Sequence, residues 1–371
     1  MTVEETYFAW LRYALWGGDP PVSPADDDRT GPADDEVLRL AERQTTRGLV
    51  FEAMLRCGAA LPEETVARMK QLLLQILSAH QMLDAAVAQA AGALREAGIP
   101  AVLLKGQGAA RNYPDPQLRE CGDIDLYVGP ERLEEALRVL TPLAARVDDR
   151  MSGQHWLLRI GPSLVELHGH TLHLPDVRRT RFYQALEADG LCNGLVPLDF
   201  GGVRVDTPAD TFNAFYLFYH AWHHFLEEGV GLRQLCDWAL LLHARRDLVD
   251  RERLRAMLDG MHLLTPWQLF GCIAVRDLGL PEDECPFYDP ARFAKSRRVL
   301  EMILAEGNFG RSRQRRRAHP EGYLAGKAYT FGGYLGRFFR MLRIAPAEAC
   351  RHYRSTFILK FGTVLKEMPH R

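Results

Sequence analysis

Ala101-Val-Leu-Leu-Lys-Gly-Gln-Gly108 and Gly122-Asp-Ile-Asp-Leu-Tyr-Val128 decide the fold of this chain. In the first stretch four apolar residues run unbroken between Pro100 and Gly106, which predicts a short buried strand. Gly106-Gln-Gly108 then turns the chain, and residues 109–113 are expected to form a short helix closed by Pro114. In the second stretch Ile124-Asp-Leu-Tyr-Val128 alternates and predicts another strand. Residues two apart on a strand share a face. Asp123 and Asp125 therefore point the same way, with Ile124 and Leu126 against the core behind them.

Outward from these segments the pattern is helical upstream and alternating downstream. Residues 1–16 predict a helix with Phe8, Leu11, Ala14 and Leu15 on one side, ended by the Gly17–Pro24 loop. Apolar residues recur at helical spacing over 34–55 and 62–97, the latter opening on Pro62-Glu-Glu64, which suits a helix N-terminus. A helix after Pro130 carries Leu133, Ala136, Leu137 and Leu140. Two strands near 155–160 and 164–170 are joined at hairpin length by Gly161-Pro-Ser163, and a short strand follows at Val203–Val205. Thr207-Pro-Ala-Asp210 predicts a helix start with threonine as N-cap, and the rest of the chain is almost all helical. The expected class is α+β: a helical region over 1–90, a mixed-sheet core over 91–206 and a helical region over 207–371.

Composition narrows the function. The 371 residues are 47% hydrophobic and 25% charged with a net charge of −2, so no global charge draws the chain to nucleic acid or anionic lipid. Seven cysteines without CxxC spacing argue against a zinc ribbon and fit reduced thiols. The acidic N-terminus has no signal-peptide pattern, and no apolar run reaches membrane-spanning length. These features set the expectation of a cytoplasmic protein.

Phosphoryl chemistry with hard divalent cations needs carboxylates converging on one point. Asp123 and Asp125 meet that need, and the alternation of Val165 and Leu167 with Glu166 and His168 lets an adjacent strand add Glu166 as a third acid. Asp148 and Asp149 compete for that place, but the strand pattern around Glu166 is cleaner. Lys105-Gly-Gln-Gly108, between a strand and a helix, would let the backbone approach a triphosphate. It lacks the GxxxxGK[ST] spacing, which excludes a Walker-type ATPase.

Leu103-Leu-Lys-Gly106, Tyr113-Pro-Asp-Pro116, Arg119 and Gly122-Asp-Ile-Asp-Leu126, with Val165-Glu-Leu-His168 and Leu232-Arg-Gln-Leu-Cys-Asp237, resemble an uncharacterised branch of the polymerase-β-like nucleotidyltransferase superfamily. The resemblance is good over about residues 90–245 and looser outside. It implies a minimal nucleotidyltransferase sheet with flanking helices, and attack of an acceptor hydroxyl on the α-phosphate of an NTP with pyrophosphate leaving. Asp123 and Asp125 match the metal-binding DxD, with Mg²⁺ expected and Mn²⁺ as the alternative. Glu166 matches the third acid that helps activate the hydroxyl, and Gly106 matches the glycine of the superfamily's Gly-Ser turn. Gln107 departs from the usual serine but is expected to grip phosphate with Gly106 and Lys105, and Arg119 to help neutralise its charge. His168 is a further candidate nucleotide contact, and ATP is the expected NTP.

Competing uses of other residues are weighed on the same terms. His168, His170 and His173 could ligate zinc, but only if they converged with further donors. His220, His223 and His224 share a helix, where packing against the catalytic region is the commoner use. Arg233 and Asp237 are four apart, which predicts a surface ion pair, with the resemblance placing this helix near the cleft. The basic run Arg311–Arg317 is expected as a solvated loop, with contact to an RNA or phosphorylated acceptor the alternative. The basic amphipathic stretch 329–368 either covers the core or lies on a membrane surface. Against the enzyme stands a nucleotide-binding regulatory or antitoxin-like interaction protein without turnover.

Overall fold

A computed structural model describes residues 2–21, 32–149, 155–172, 174, 176–308 and 323–354. Helix α1 (Val3–Trp16) starts with a capping box, in which the Glu5 amide donates to the Thr2 hydroxyl and the Thr2 amide donates to the Glu5 carboxylate. The helical pattern over 34–55 divides into α2 (Pro32–Arg43) and α3 (Arg47–Arg56), broken at Thr45, whose φ of 54° lies in the left-handed region. Helix α4 (Glu63–Glu96) has 34 residues, about 51 Å at the standard rise. Its first half, through Met69, Leu72 and Leu73, joins the helical core; its second half, from Leu83 to Leu94, covers the sheet.

Next in the chain come β1 (Val102–Leu103), α5 (Gln107–Ala110), β2 (Asp123–Tyr127) and α6 (Leu133–Leu140). They are followed by β3 (Arg146–Asp149), β4 (His155–Ile160), β5 (Ser163–His168), α7 (Val177–Gly190), β6 (Val196–Phe200) and β7 (Val203–Thr207). The strands form one seven-stranded sheet in the order β3-β4-β5-β2-β1-β7-β6. Pairs β2/β5 and β1/β7 are parallel and the rest antiparallel, a mixed sheet in an α+β fold. Ile124 and Leu126 of β2 with Val165 and Leu167 of β5 pack under α4 and α6 in one core. The other face carries the acids, and there Tyr127 and Val102 join the larger, helical core.

That core is built mainly by α8 (Asp210–Glu227), α9 (Leu232–Ala244), α10 (Arg251–Gly260), α11 (Leu264–Arg276) and α12 (Phe293–Glu306). Helix α8 is buried nearly all round, with Phe212, Phe215, Phe218 and Trp222 fully enclosed. Helix α13 (Tyr323–Ile344) and a helical stretch over 346–354 return to it. Met341, Ile344, Ala349 and Tyr353 are buried there, so this part of the C-terminal amphipathic stretch covers the protein's own core.

Several expectations are corrected. Strands β3 and β6 and helix α7 escaped the pattern reading, because they alternate weakly and carry charge. Thr207 does not cap α8: it ends β7 and donates its hydroxyl to the Val196 carbonyl, and Ala209 stands at the cap. The helix expected over 109–113 lies at Gln107–Ala110, a single turn begun directly after Gly106.

Candidate active site

The parallel pairing of β2 with β5 sets Asp125 opposite Glu166 and Tyr127 opposite His168. Residues alternate across a strand, so Asp123, Asp125, Glu166 and His168 all project from the face away from α4. One carboxylate oxygen from each of Asp123, Asp125 and Glu166 lies within 4.8 Å of the others. The alternative acid Asp148 sits on β3, separated from β2 by two intervening strands, and is paired with Arg146.

Each acid has a distinct environment. Asp125 is 1% exposed, and its Oδ1 takes the Lys105 ammonium at 3.2 Å and His168 Nε2 at 3.0 Å. Burial would raise its carboxyl, but Lys105 and His168 outweigh it and hold Asp125 well below the usual carboxylate range. Its Oδ2 is buried and accepts no hydrogen bond among the described residues. Asp123 is driven the other way, upward, first by the charge of Asp125 and then by burial, with Lys105 and Arg233 opposing. Glu166 lies on the half-open side, with His155 Nε2 at 3.3 Å and His168 Nε2 at 3.7 Å.

Lys105 leaves β1 at the turn and is held from two sides, by Asp125 and by His220 of α8, to whose Nε2 it donates at 2.9 Å. Burial opposes its charge, yet Asp125, Asp123 and Glu166 together raise its pKa. His220 is pushed well below the ordinary histidine range by burial and then by Lys105, and His224 down to about 3 for the same reasons. Both imidazoles are therefore neutral at physiological pH. His220 and His224 thus pack on the face that carries the acids, as their helical spacing suggested, while His223 turns toward Glu227.

Gly106 follows with φ 57° and ψ −116°, a conformation that glycine adopts without penalty. A Cβ there would stand 3.1 Å from the Asp123 carbonyl, so the turn passes against the start of β2. The Gln107 side chain turns into α4, donating to Asp84 at 2.8 Å and meeting His80 Nδ1 at 3.0 Å. Arg119 is 4% exposed and forms a two-pronged pair with Asp237 of α9, at 2.7 and 2.6 Å. The Gln107 amide nitrogen is thus engaged by α4 and the Arg119 guanidinium by α9, while Gln107 Oε1 accepts no hydrogen bond among the described residues. The surface pair expected between Arg233 and Asp237 is replaced: Asp237 is buried on Arg119, and the Arg233 guanidinium donates to the Glu120 carbonyl. Of the three histidines read as possible zinc ligands, His168 meets Asp125 and groups with His155 and Glu166, His170 turns away to Glu187 at 2.7 Å, and His173 lies outside the described residues. So does the basic run 311–317.

His155 was missed, although a signal was present. The Gly161-Pro-Ser163 turn pairs Ile160 with Ser163, and counting back along the hairpin sets His155 opposite His168. The two rings stack at 4.4 Å beside Glu166. Arg233 and His220 were visible as residues, but only tertiary packing brings them to Asp123 and Lys105.

A mixed sheet with an Asp-x-Asp on one central strand and a third carboxylate in register on its parallel neighbour has the layout of a nucleotidyltransferase. The family described as "Uncharacterised nucleotidyltransferase" matches residues 31–278, well over half of the chain, and the protein belongs to that family. One solved structure with detectable likeness is an antigenic nucleotidyltransferase-like protein from Paracoccidioides brasiliensis. It is 15% identical over 50% of this chain and 91% of its own, with a TM-score of 0.33. No curated protein matches. Family and fold together support nucleotidyl transfer as the general activity. No helix among the described residues is long and apolar enough to cross a membrane.

Proposed function

We propose that the protein is a Mg²⁺-dependent nucleotidyltransferase that moves an NMP from an NTP, ATP foremost, to an acceptor hydroxyl. The observation that carries this is the convergence of Asp123, Asp125 and Glu166 within 4.8 Å of one another. The donor set suits a hard cation, because all three ligands are carboxylates and the buried Asp125 Oδ2 has no hydrogen-bond donor among the described residues. Mg²⁺ held by these acids would neutralise phosphate charge and orient the α-phosphate; Mn²⁺ is the alternative.

The chain's own groups supply the remaining parts. Lys105 stays charged beside Asp125 and offers its ammonium to phosphate, and the sharp backbone at Gly106 leaves room for close approach. Glu166, on the half-open side beside His155, takes the proton from the acceptor hydroxyl. The acceptor oxygen then bonds to the α-phosphorus as the bond to the pyrophosphate oxygen breaks. Arg119 supports this machinery from behind, through Asp237. The acceptor would be chosen by the helical region packed on the same face. The free cysteines suit a reducing cytoplasm, and nucleic acid is the less favoured acceptor.

The test incubates wild type and D123N/D125N with each α-³²P-labelled NTP, Mg²⁺ and cell extract. A labelled species made by wild type alone is expected, and its chemical class names the acceptor. A second reading, a nucleotide-binding protein without turnover, draws on the self-neutralised state of Asp125 Oδ1 between Lys105 and His168. Bound NTP with no labelled product from any extract would select it.

A further inference from the structure

A second cluster of ligating side chains lies outside the carboxylate site. His223 and Glu227 are one turn apart on α8, and His352 comes from the helical stretch 346–354 that crosses it. One donor atom from each lies within 4.8 Å of the other two. His352 is 5% exposed and Glu227 is 33% exposed in the side chain, so the cluster is backed by core and open on one edge.

The spacing is the informative feature. Two histidine–glutamate pairs in this protein close to direct hydrogen bonds, His170–Glu187 at 2.7 Å and His243–Glu284 at 2.6 Å, whereas in the carboxylate site His155 and His168 stand 3.3 and 3.7 Å from Glu166. In the second cluster the imidazole Nε2 atoms of His223 and His352 stand 3.7 and 3.9 Å from the two oxygens of Glu227, too far for hydrogen bonds. Ligands on a tetrahedral ion with bonds of about 2.0–2.1 Å sit roughly 3.3–3.5 Å apart. A small inward movement of an exposed carboxylate therefore converts this triad into a coordination set. The helix supports it, because i,i+4 spacing puts His223 and Glu227 on one face. The third ligand is held in place: Tyr353, next to His352, donates its hydroxyl to the Leu226 carbonyl at 2.7 Å, and Arg337 donates to the Phe225 carbonyl at 3.0 Å.

We propose that His223, Glu227 and His352 bind a borderline divalent cation of the zinc type, with water in the fourth position, and that the ion clasps the C-terminal helical stretch to α8. Two imidazoles and one carboxylate are a donor set for zinc rather than for magnesium. The site is separate from the carboxylate cluster and does not depend on nucleotidyl transfer.

The test uses the full chain stripped with a chelator, in a D123N/D125N background that removes two of the acids; His155, Glu166 and His168, which also lie within 4.8 Å of one another, remain, and H155N controls for them. Zn²⁺ is measured by equilibrium dialysis, Co²⁺ by its visible d–d bands, and the clasp by the rise in Tm on adding Zn²⁺. One equivalent of Zn²⁺ and tetrahedral Co²⁺ bands are expected. Both should weaken by more than about a hundredfold in H352N and in E227Q, and H155N should leave them unchanged. Glu227 is partly exposed, so E227Q keeps the test sound if H352N fails to fold. Zinc binding unchanged by E227Q, zinc lost with H155N, or no Zn²⁺-dependent rise in Tm would each overturn the proposal.

Discussion

Replacing Asp237 by alanine should destabilise the protein severely, and the size follows from what surrounds it. Arg119 and Asp237 each have side chains 4% exposed. Asp237 accepts two Arg119 N–H groups at 2.7 and 2.6 Å and the Tyr113 hydroxyl at 2.6 Å. Alanine removes every one of these and leaves a guanidinium enclosed by protein. Its remaining partners, the Cys121 sulfur at 2.9 Å and the Glu120 carbonyl at 3.5 Å, carry no opposing charge among these contacts. Breaking one side of a buried pair costs about 3–5 kcal/mol, while replacing both partners with apolar residues of similar size is often near neutral. D237A is therefore expected to lose about 3–5 kcal/mol, and R119M/D237L to recover most of that loss. Urea unfolding monitored by tryptophan fluorescence measures both, with the midpoint falling at constant slope. A D237A loss below about 1 kcal/mol, or a double variant as unstable as the sum of the single ones, would refute the claim that this pair is a desolvated lock.

Three further outcomes follow from the site. D123N should raise Tm by a few degrees in metal-free buffer at neutral pH, because it removes the like-charge repulsion that pushes the Asp123 carboxyl upward; calorimetry with and without Mg²⁺ checks this, and Mg²⁺ should stabilise wild type more than the variant. The two aspartates also set opposite pH trends. Asp125 contributes stability that is present above the ordinary carboxylate range and is lost as pH falls through its depressed folded value, whereas protonation of Asp123 through its raised value relieves strain, so acid should impair activity before it unfolds the chain. Paired pH profiles of turnover and urea stability would show the separation. G106A places a side chain at φ 57° and 3.1 Å from the Asp123 carbonyl, and should cost about 1–3 kcal/mol with a larger fall in labelling than in Tm.

Much of the acid-bearing face was readable because it depends on strand alternation, which has period two and tolerates little error. Asp123, Asp125 and Glu166 fell onto one face once β2 and β5 were recognised, and pairing in parallel register did the rest. The mixed sheet was legible for the same reason. What escaped depends on contacts between distant segments. Gln107 and Arg119 read locally as phosphate ligands, and nothing local reveals that Asp84 on α4 and Asp237 on α9 engage them. Strands β3 and β6 were hidden by charged and proline residues tolerated near the two sheet edges. Thr207 had the right chemistry for a cap, but the β6–β7 ladder claimed its hydroxyl first.

The segment from Lys105 to Cys121 shows how the helical region shapes the surroundings of the acids. It joins β1 to β2 and contains only one short helical turn and a 3₁₀ turn at Pro116–Leu118, too little regular structure to fix its own shape. It is tied down from outside. Lys105 is held by His220, Tyr113 and Arg119 by Asp237, and the Glu120 carbonyl by Arg233, all on α8 or α9. On its other side Gln107 is fastened to α4, and the Glu120 carboxylate accepts from the Arg47 amide at 2.7 Å. The strand that carries the acids is thus supported by the sheet, while the loop beside it takes its geometry from the helices. A sheet core cut away from α8 and α9 would keep Asp123, Asp125 and Glu166 in register and lose the placement of Lys105. Positive charge beside Asp125 would go with it, and two close aspartates would then push each other's carboxyls upward. The helical region is therefore part of the electrostatic balance at the acids.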